Sequence, residues 1–445
     1  MLEKIKALEK AARPLEPAAP KRGKTAQAVL QYAEAFLRSL RDRPAYVKED
    51  DGGSGLGHYP PQDKPRSLKQ VLSLIGSQLD TPGLNPASGG HLGYIPGGGL
   101  YDAALGDLLA AVTNRYATVF YASPGAVRME NLLIHWMCRL VGYPGQSSGY
   151  LSSGGSMANL SAIVAARDAK GITSKNIRKS VIYFTAQAHH CIDKAIRIAG
   201  LSECIHHEIP MNKRFQMDAG QLEEKVASDL AKGLHPWLVV ASAGTTDVGA
   251  IDPLEKIAAV AEKHHLWYHV DAAYGGFFIL TPKGKRQLKG IARADSIVMD
   301  PHKGLFLPYG SGALLIRDRG DLARSFHYQA GYMQDTVDAD QEISPADISP
   351  ELSRHFRGLR LWLPLQLNGL KPFRAALEEK VLLAQYFFAE IKKLGFEAPF
   401  SPELTVVIYR FIPQKIKGDQ AAINAFNEGL VKAVQDDGRV FISST

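Results

Sequence analysis

Residues 26–43, AQAVLQYAEAFLRSLRDR, space their apolar positions at helical intervals behind the Pro- and Lys-rich stretch RPLEPAAPKRGKT, which predicts an arm leading into a helix. Two turn-rich breaks follow, KEDDGGSGLGHYPPQDKP at 48–65 and NPASGGHLGYIPGGG at 85–99. The second embeds His91, Tyr94 and Ile95 among glycines and reads either as a connector or as a loop lining a site. From about residue 100 apolar runs alternate with helical stretches, the signature of a sheet with helices on its faces. The predicted strands are SVIYF (180–184), PWLVVASA (236–243), LWYHVD (266–271), SIVMD (296–300) and GALLIRD (312–318). Several are continuous apolar runs that need cover on both sides, as in a mostly parallel sheet. The clearest helix takes Asp252 as N-cap, Pro253 at the first position and Glu255 at the third, then runs through PLEKIAAVAEKHH. After residue 365 the helix KPFRAALEEKVLLAQYFFAEIKKLG, the strand TVVIYRF and the helix AAINAFNEGLVKAVQDDG predict a small C-terminal α+β domain, and RVFISST reads as a last strand. The expected partition is an N-terminal arm (1–84), a large α/β domain (85–364) and a small domain (365–445).

Composition narrows the functional classes. A chain of 445 residues, 45% hydrophobic and 22% charged, is globular and too long for one core. The net charge of +7 is dispersed along the chain, so no nucleic-acid partner is expected. Cys138, Cys191 and Cys204 have neither metal-site nor disulfide-framework spacing, so no metal is expected and a reducing, cytoplasmic setting is. The opening MLEKIKALEKAARPLEP lacks a signal-peptide core, and LWLPLQLNGL is too short to span a bilayer, so no membrane partner is expected.

Three elements carry chemistry. The strand LWYHVD ends in Asp271, followed by Ala272, Ala273, Gly275 and Gly276; a carboxylate there is either a turn residue or one facing the ligand crevice at strand carboxyl ends. In SIVMDPHKGLFLPYGSGALL, Asp300, His302 and Lys303 fall between two buried-type strands, where a desolvated amine can attack an aldehyde. The Gly- and Ser-rich turn of GYLSSGGSMANLSAIVAARDAKG opens into a helix, with Ser156 as N-cap or phosphate donor. An anion-binding turn, a strand-end carboxylate and a sheltered lysine are the parts a pyridoxal phosphate site requires.

The chain resembles the group II pyridoxal-phosphate-dependent decarboxylases, the aromatic-L-amino-acid and glutamate decarboxylase relatives, in HVDAAYGG, DPHKG, SGGSMANL, AQAHHCIDKA and AGTTDVGAIDP, in consistent order from about residue 70 to 375. The resemblance implies a fold-type I α/β enzyme with a mostly parallel seven-stranded sheet, forming a homodimer with interfacial active sites. It implies that Lys303 carries pyridoxal 5'-phosphate as a Schiff base and that Asp271 pairs with the ring nitrogen. His189 would stack on the ring, with Ala273 on the opposite face. Gly155 and Ser156 would bind the phosphate, and Thr246 would lie near the cofactor hydroxyl or substrate carboxylate. His302 precedes the lysine as in the family. Asp300 stands where many relatives have Asn near the phosphate, and Gly304 where many have Trp. Tyr332, in FHYQAGYMQDTVDADQEISP, matches the tyrosine of the family's catalytic loop and would protonate Cα after carbon dioxide leaves. Rough register with aromatic-type relatives places Tyr94, Ile95 and Thr118 against the substrate side chain with His91 and Phe120 nearby, and Ser353 at a position linked to phenolic versus indolic choice.

The expected function is decarboxylation of an aromatic L-amino acid to its amine. The alternatives are an acidic amino acid of the glutamate, aspartate or cysteine sulfinate type, another fold-type I reaction (carbon-carbon lysis, aldehyde synthesis or transamination), or a cofactor-binding paralogue without turnover.

Overall fold

Seven runs pair into one sheet: β1 (Ser148–Ser152), β2 (Ser180–Phe184), β3 (Ile205–Glu208), β4 (His235–Ser242), β5 (Trp267–Asp271), β6 (Ser296–Met299) and β7 (Gly312–Ile316). Their order is β1-β7-β6-β5-β4-β2-β3, with β7 antiparallel to both neighbours and the β6-β5-β4-β2-β3 pairs parallel. Every residue of β2, β5, β6 and β7 is buried, which explains why these strands read as mostly apolar runs without polar alternation. The strand β3 closes one edge and alternates half-buried with exposed positions, Ile205 and His207 against His206 and Glu208. In this computed structural model the described residues are 1–48, 52–327 and 342–444.

Successive residues of a strand point to opposite faces, and the core divides accordingly. On one face Tyr268 and Val270 of β5 join Val239, Ala241, Leu133, Met137, Ile257 and Ala261. On the other, Trp267 joins Leu238, Val298 and Leu314 beneath Ala158, Ala162 and Ala166 of the helix Gly155–Ala169. Alanines on that helix let its backbone lie close to the sheet. His269 and Asp271 share Trp267's side of β5 and therefore point at this helix.

The described chain forms two units, Met1–Tyr94 with Gly418–Thr445, and Ile95–Lys417. These bounds differ from the sequence partition because the helix Leu370–Lys393 sends Phe373, Leu377 and Val381 into the core of the larger unit. In the smaller unit the helix expected over 26–43 spans Ala19–Arg38, with Pro20 in its first turn. TVVIYRF forms no sheet strand; Arg410 makes a lone antiparallel bridge with Glu397. Among the described residues of RVFISST, Phe441 makes one bridge, to His91. A β-prone run becomes a strand only where a partner edge meets it. Among the described residues no helix is long and apolar enough to cross a membrane.

Asp252 is not the N-cap expected of it. The helix Leu254–Lys263 starts from Pro253, without a side-chain cap. The buried Asp252 carboxylate instead accepts the Ser242 N–H at 2.7 Å and the Met217 N–H at 2.7 Å, tying the end of β4 to a neighbouring loop. Burial pushes its carboxyl up to about 6 despite these bonds. Asp252→Ala leaves two buried N–H groups without acceptors and should cost about 2–6 kcal/mol in urea denaturation. Because the folded carboxyl binds its proton more tightly than the unfolded one, near 4, the stability it adds is complete below about pH 4 and declines as pH rises through about 6. The gap between wild type and Asp252→Ala should therefore narrow over that window; a gap that widens contradicts the assignment.

Candidate active site

The carboxyl ends of β4, β5 and β6 open on a cleft of about 400 Å³, the place where open α/β sheets receive ligands. Gly155, Ser156, His189, Thr246, Asp271, Ala273, Asp300, His302 and Lys303 all line it. The structure thus brings together every described residue that the sequence put forward for catalysis or cofactor binding. Tyr332 lies outside the described residues.

The strand β5 delivers Asp271 to the cleft floor. Its Oδ2 accepts from Asn159 Nδ2 at 3.1 Å, and its Oδ1 accepts from the Ala273 N–H at 3.1 Å. After β6 the chain passes Asp300 into the single turn Pro301–Gly304, which carries Lys303. Lys303 Nζ stands 3.3 Å from Asp300 Oδ2, its side chain 23% exposed. It is sheltered yet reachable, as an amine that must meet an aldehyde requires. Gly304 is accounted for by packing: a Cβ there would stand 2.6 Å from Phe277 Cβ, so Phe277 fills the room a larger residue would need.

Three further groups set the electrostatics. The Asp300 carboxyl is raised by burial, against the opposing pull of Lys303 and His302, and its Oδ1 is buried without a hydrogen-bond partner. His302 donates its Nδ1–H to the Ser311 carbonyl at 2.6 Å, and burial lowers its pKa. His189 accepts the Cys191 N–H on Nδ1 at 3.3 Å; burial, then the neighbouring His190, lowers its pKa. A neutral His189 therefore carries its proton on Nε2.

The turn differs from expectation in one respect. The N-cap of the helix Gly155–Ala169 is Gly154, with no side-chain cap bond, and Ser156 occupies the second helical position, exposed. An uncapped first turn leaves its N–H groups for an anion. Glycine is needed around it. A Cβ on Gly155 would lie 3.0 Å from Asp300 Oδ2 and 3.2 Å from Ala273 Cβ, and one on Gly312 would lie 2.6 Å from both Gly154 Cα and Ser152 Oγ. The close glycine cradle, the lysine and the strand-end carboxylate fit pyridoxal phosphate. The turn would take the phosphate, Asp271 the ring nitrogen and Lys303 the aldehyde carbon.

The residues proposed against the substrate side chain are not gathered in this cleft. His91 and Tyr94 belong to the smaller unit, where both pack on Phe441 at ring distances of 5.5 and 5.6 Å. Ile95 packs against the large core. Thr118 is fully buried and donates its hydroxyl to the Leu352 carbonyl. Phe120 donates its N–H to Ser344 Oγ at 3.0 Å beneath Arg128, and Ser353 is exposed.

Sequence reasoning missed Asn159, His269 and Ser296. The signals were the two-residue spacing of His269 and Asp271, which places them on one strand face, and the four-residue step from Gly155 to Asn159, which places Asn159 on the helix face above the turn. It also missed Glu130 and Arg354, a buried pair at 2.6 Å that closes the free edge of β1. Glu130 accepts the Leu151 N–H at 2.9 Å and Arg354 donates to the Leu151 carbonyl at 2.7 Å, fixing the strand that feeds the turn.

The chain is similar to known proteins over most of its length. The pyridoxal-dependent decarboxylase conserved domain matches residues 62–412. The chain is 35% identical over 359 residues to the aromatic-L-amino-acid decarboxylase of Bacillus atrophaeus, covering 80% of this chain and 74% of that one. It is 30% identical over 399 residues to tyrosine decarboxylase 2 of Arabidopsis thaliana, covering 86% and 72%. Among solved structures, Oryza sativa TDC with PLP and tryptamine superposes with a TM-score of 0.90 at 25% identity, covering 96% of this chain and 91% of that one.

Gly312→Ala should push Gly154 away from Asp300 and weaken pyridoxal phosphate binding by about tenfold or more, read by absorbance titration, since the added methyl meets backbone on one side. Binding unchanged from wild type would contradict the cradle.

Proposed function

The chain belongs to the pyridoxal-dependent decarboxylase family, and on that footing we propose that it removes the α-carboxylate of an aromatic L-amino acid, releasing the amine and carbon dioxide. The observation that carries the reading is the meeting of Lys303, Asp271 and His189 at one uncapped, glycine-walled turn.

Bound pyridoxal phosphate supplies the electron sink for the pair left at Cα when carbon dioxide departs. Lys303 Nζ is the amine that would hold the aldehyde carbon. The Asp271 carboxylate would hold a proton on the ring nitrogen, and His189 and the Ala273 methyl, which line the same cleft, would confine the ring. Thr246 would meet the cofactor hydroxyl or the substrate carboxylate, and the turn at Gly155 and Ser156 would hold the phosphate. Tyr332 delivers the proton to Cα, with the Nε2–H of His189 as the second donor. Water kept from Cα until that proton arrives favours the amine over an aldehyde.

Two considerations support an aromatic substrate over an acidic one. The relatives named above are aromatic-L-amino-acid and tyrosine decarboxylases. Among the described residues lining the cleft, Lys303 is the one Lys or Arg, and this reading commits it to the cofactor, so these residues offer no second cation for a side-chain carboxylate. The proposal extends to a homodimer with interfacial sites, supported by exposed Leu108, Leu109, Val112 and Tyr121, and to a cytoplasmic setting, supported by three free cysteines.

Purified protein given pyridoxal phosphate should show a visible absorbance band that Lys303→Ala abolishes. It should release carbon dioxide with the matching amine from Tyr, Phe, Trp or dihydroxyphenylalanine. Keto acid without carbon dioxide, or release from glutamate alone, would overturn the reading. Tyr332→Phe should shift the product from amine toward aldehyde, and an unchanged ratio would remove Tyr332 from its role.

A further inference from the structure

Behind Asp271 the described structure holds a continuous run of buried polar side chains drawn from three elements. Trp267 Nε1–H donates to Ser296 Oγ at 2.9 Å. Ser296 Oγ lies 2.8 Å from His269 Nδ1, His269 Nε2 lies 2.7 Å from Asn159 Oδ1, and Asn159 Nδ2 donates to Asp271 Oδ2 at 3.1 Å. The β5-β6 register brings this about by setting His269 opposite Ser296, while the helix Gly155–Ala169 lowers Asn159 onto the same face. Asn159, His269 and Ser296 are each exposed by 1% or less. An unpaired polar group at that depth is costly, so the protons must be distributed to satisfy every atom.

Only one distribution does so. The Asp271 carboxylate fixes the Asn159 amide, because a carbonyl oxygen turned toward it would oppose two acceptors. Asn159 Oδ1 then has to receive, and His269 Nε2 has to carry a hydrogen. Burial lowers the His269 pKa to about 4, so the ring is neutral and its Nδ1 is bare. That bare nitrogen accepts the Ser296 hydroxyl, whose oxygen is left to receive from the donor-only indole of Trp267. Asn159's remaining N–H points to Cys191 Sγ at 3.3 Å, so no donor is wasted.

We propose that Asn159, His269 and Ser296 are positioning residues for the cofactor, forming a one-way hydrogen-bond relay that locks the Asp271 carboxylate in the orientation that meets the ring nitrogen. Every link is a neutral donor, so the relay orients the carboxylate without placing a second charge beside it. The amide of Asn159 separates the imidazole from the carboxylate, and an amide passes no proton between them on the way to the cleft. A lysine or arginine in place of Asn159 would hold Asp271 as firmly but would compete for its charge. The inference rests on the proposed pairing of Asp271 with the cofactor.

The test uses two substitutions of similar bulk, one that offers an N–H donor and one that offers none. His269→Gln keeps an N–H where Nε2 stood, whereas His269→Met fills the space and offers none. Pyridoxal phosphate affinity and the position of the visible band are measured for both, together with the melting temperature of each unloaded protein. His269→Met should weaken binding by about tenfold or more and shift the band, by analogy with outer-shell partners of metal ligands, and His269→Gln should stay within about threefold of wild type. Ser296→Ala, which frees the ring while leaving its volume, should fall between them and carries the comparison if His269→Met does not fold. Equal affinity in His269→Met, Ser296→Ala and wild type overturns the relay, as does equal weakening in His269→Gln and His269→Met. A wild type that takes up no cofactor at Lys303 overturns instead the functional reading beneath it.

Discussion

Asp271 ends a strand that has strands on both sides and covered faces above and below, so its carboxylate can be solvated only by what the fold supplies or by what enters the cleft. The fold supplies two donors, Asn159 Nδ2 and the Ala273 N–H. A carboxylate held this way remains an acceptor aimed at the cleft, which is what a protonated ring nitrogen needs opposite it. The small residues after it, Ala272, Ala273, Gly275 and Gly276, follow from the same constraint, because the chain must turn away within a crowded space. A Cβ on Gly275 would stand 2.1 Å from the Ala243 carbonyl oxygen.

The sheet order then determines what can meet Asp271. The strands β4 and β6 flank β5, so the residues just past their ends, the Thr245–Thr246 turn and the Asp300–Lys303 segment, arrive beside it without long loops. The strand β7 runs antiparallel between β6 and β1, which brings Gly312 against Ser152 and Gly154 and seats the turn over Asp300. The chemistry is thus assembled by rigid strand ends, and its precision comes from backbone pairing more than from side-chain packing.

Where burial dictated the sequence, the sequence could be read back. Strands covered on both faces are mostly apolar, so β2 and β4 to β7 stood out, as did Lys303 and Asp271, polar residues at or just past the ends of such runs, whereas the equally buried β1, SGYLS, has too few apolar residues to be read as a strand. Elements whose identity depends on a distant partner could not be read this way. The short polar edge strand β3 carries His206, His207 and Glu208 and lacks an apolar pattern. TVVIYRF has the pattern but meets only Glu397. Asp252 sits one residue before a proline-started helix, as a cap would, yet long-range N–H groups claim its carboxylate. Asn159, His269 and Ser296 are ordinary within their own elements and become a unit only through the register that joins them.

Pyridoxal phosphate bound to this fold should occupy one lysine out of many. Incubating the protein with the cofactor, reducing it with borohydride and mapping the modified peptide by mass spectrometry tests that claim directly. The account predicts a single pyridoxyl group, on Lys303; reduction that leaves Lys303 unmodified, or marks surface lysines to the same extent, would contradict it.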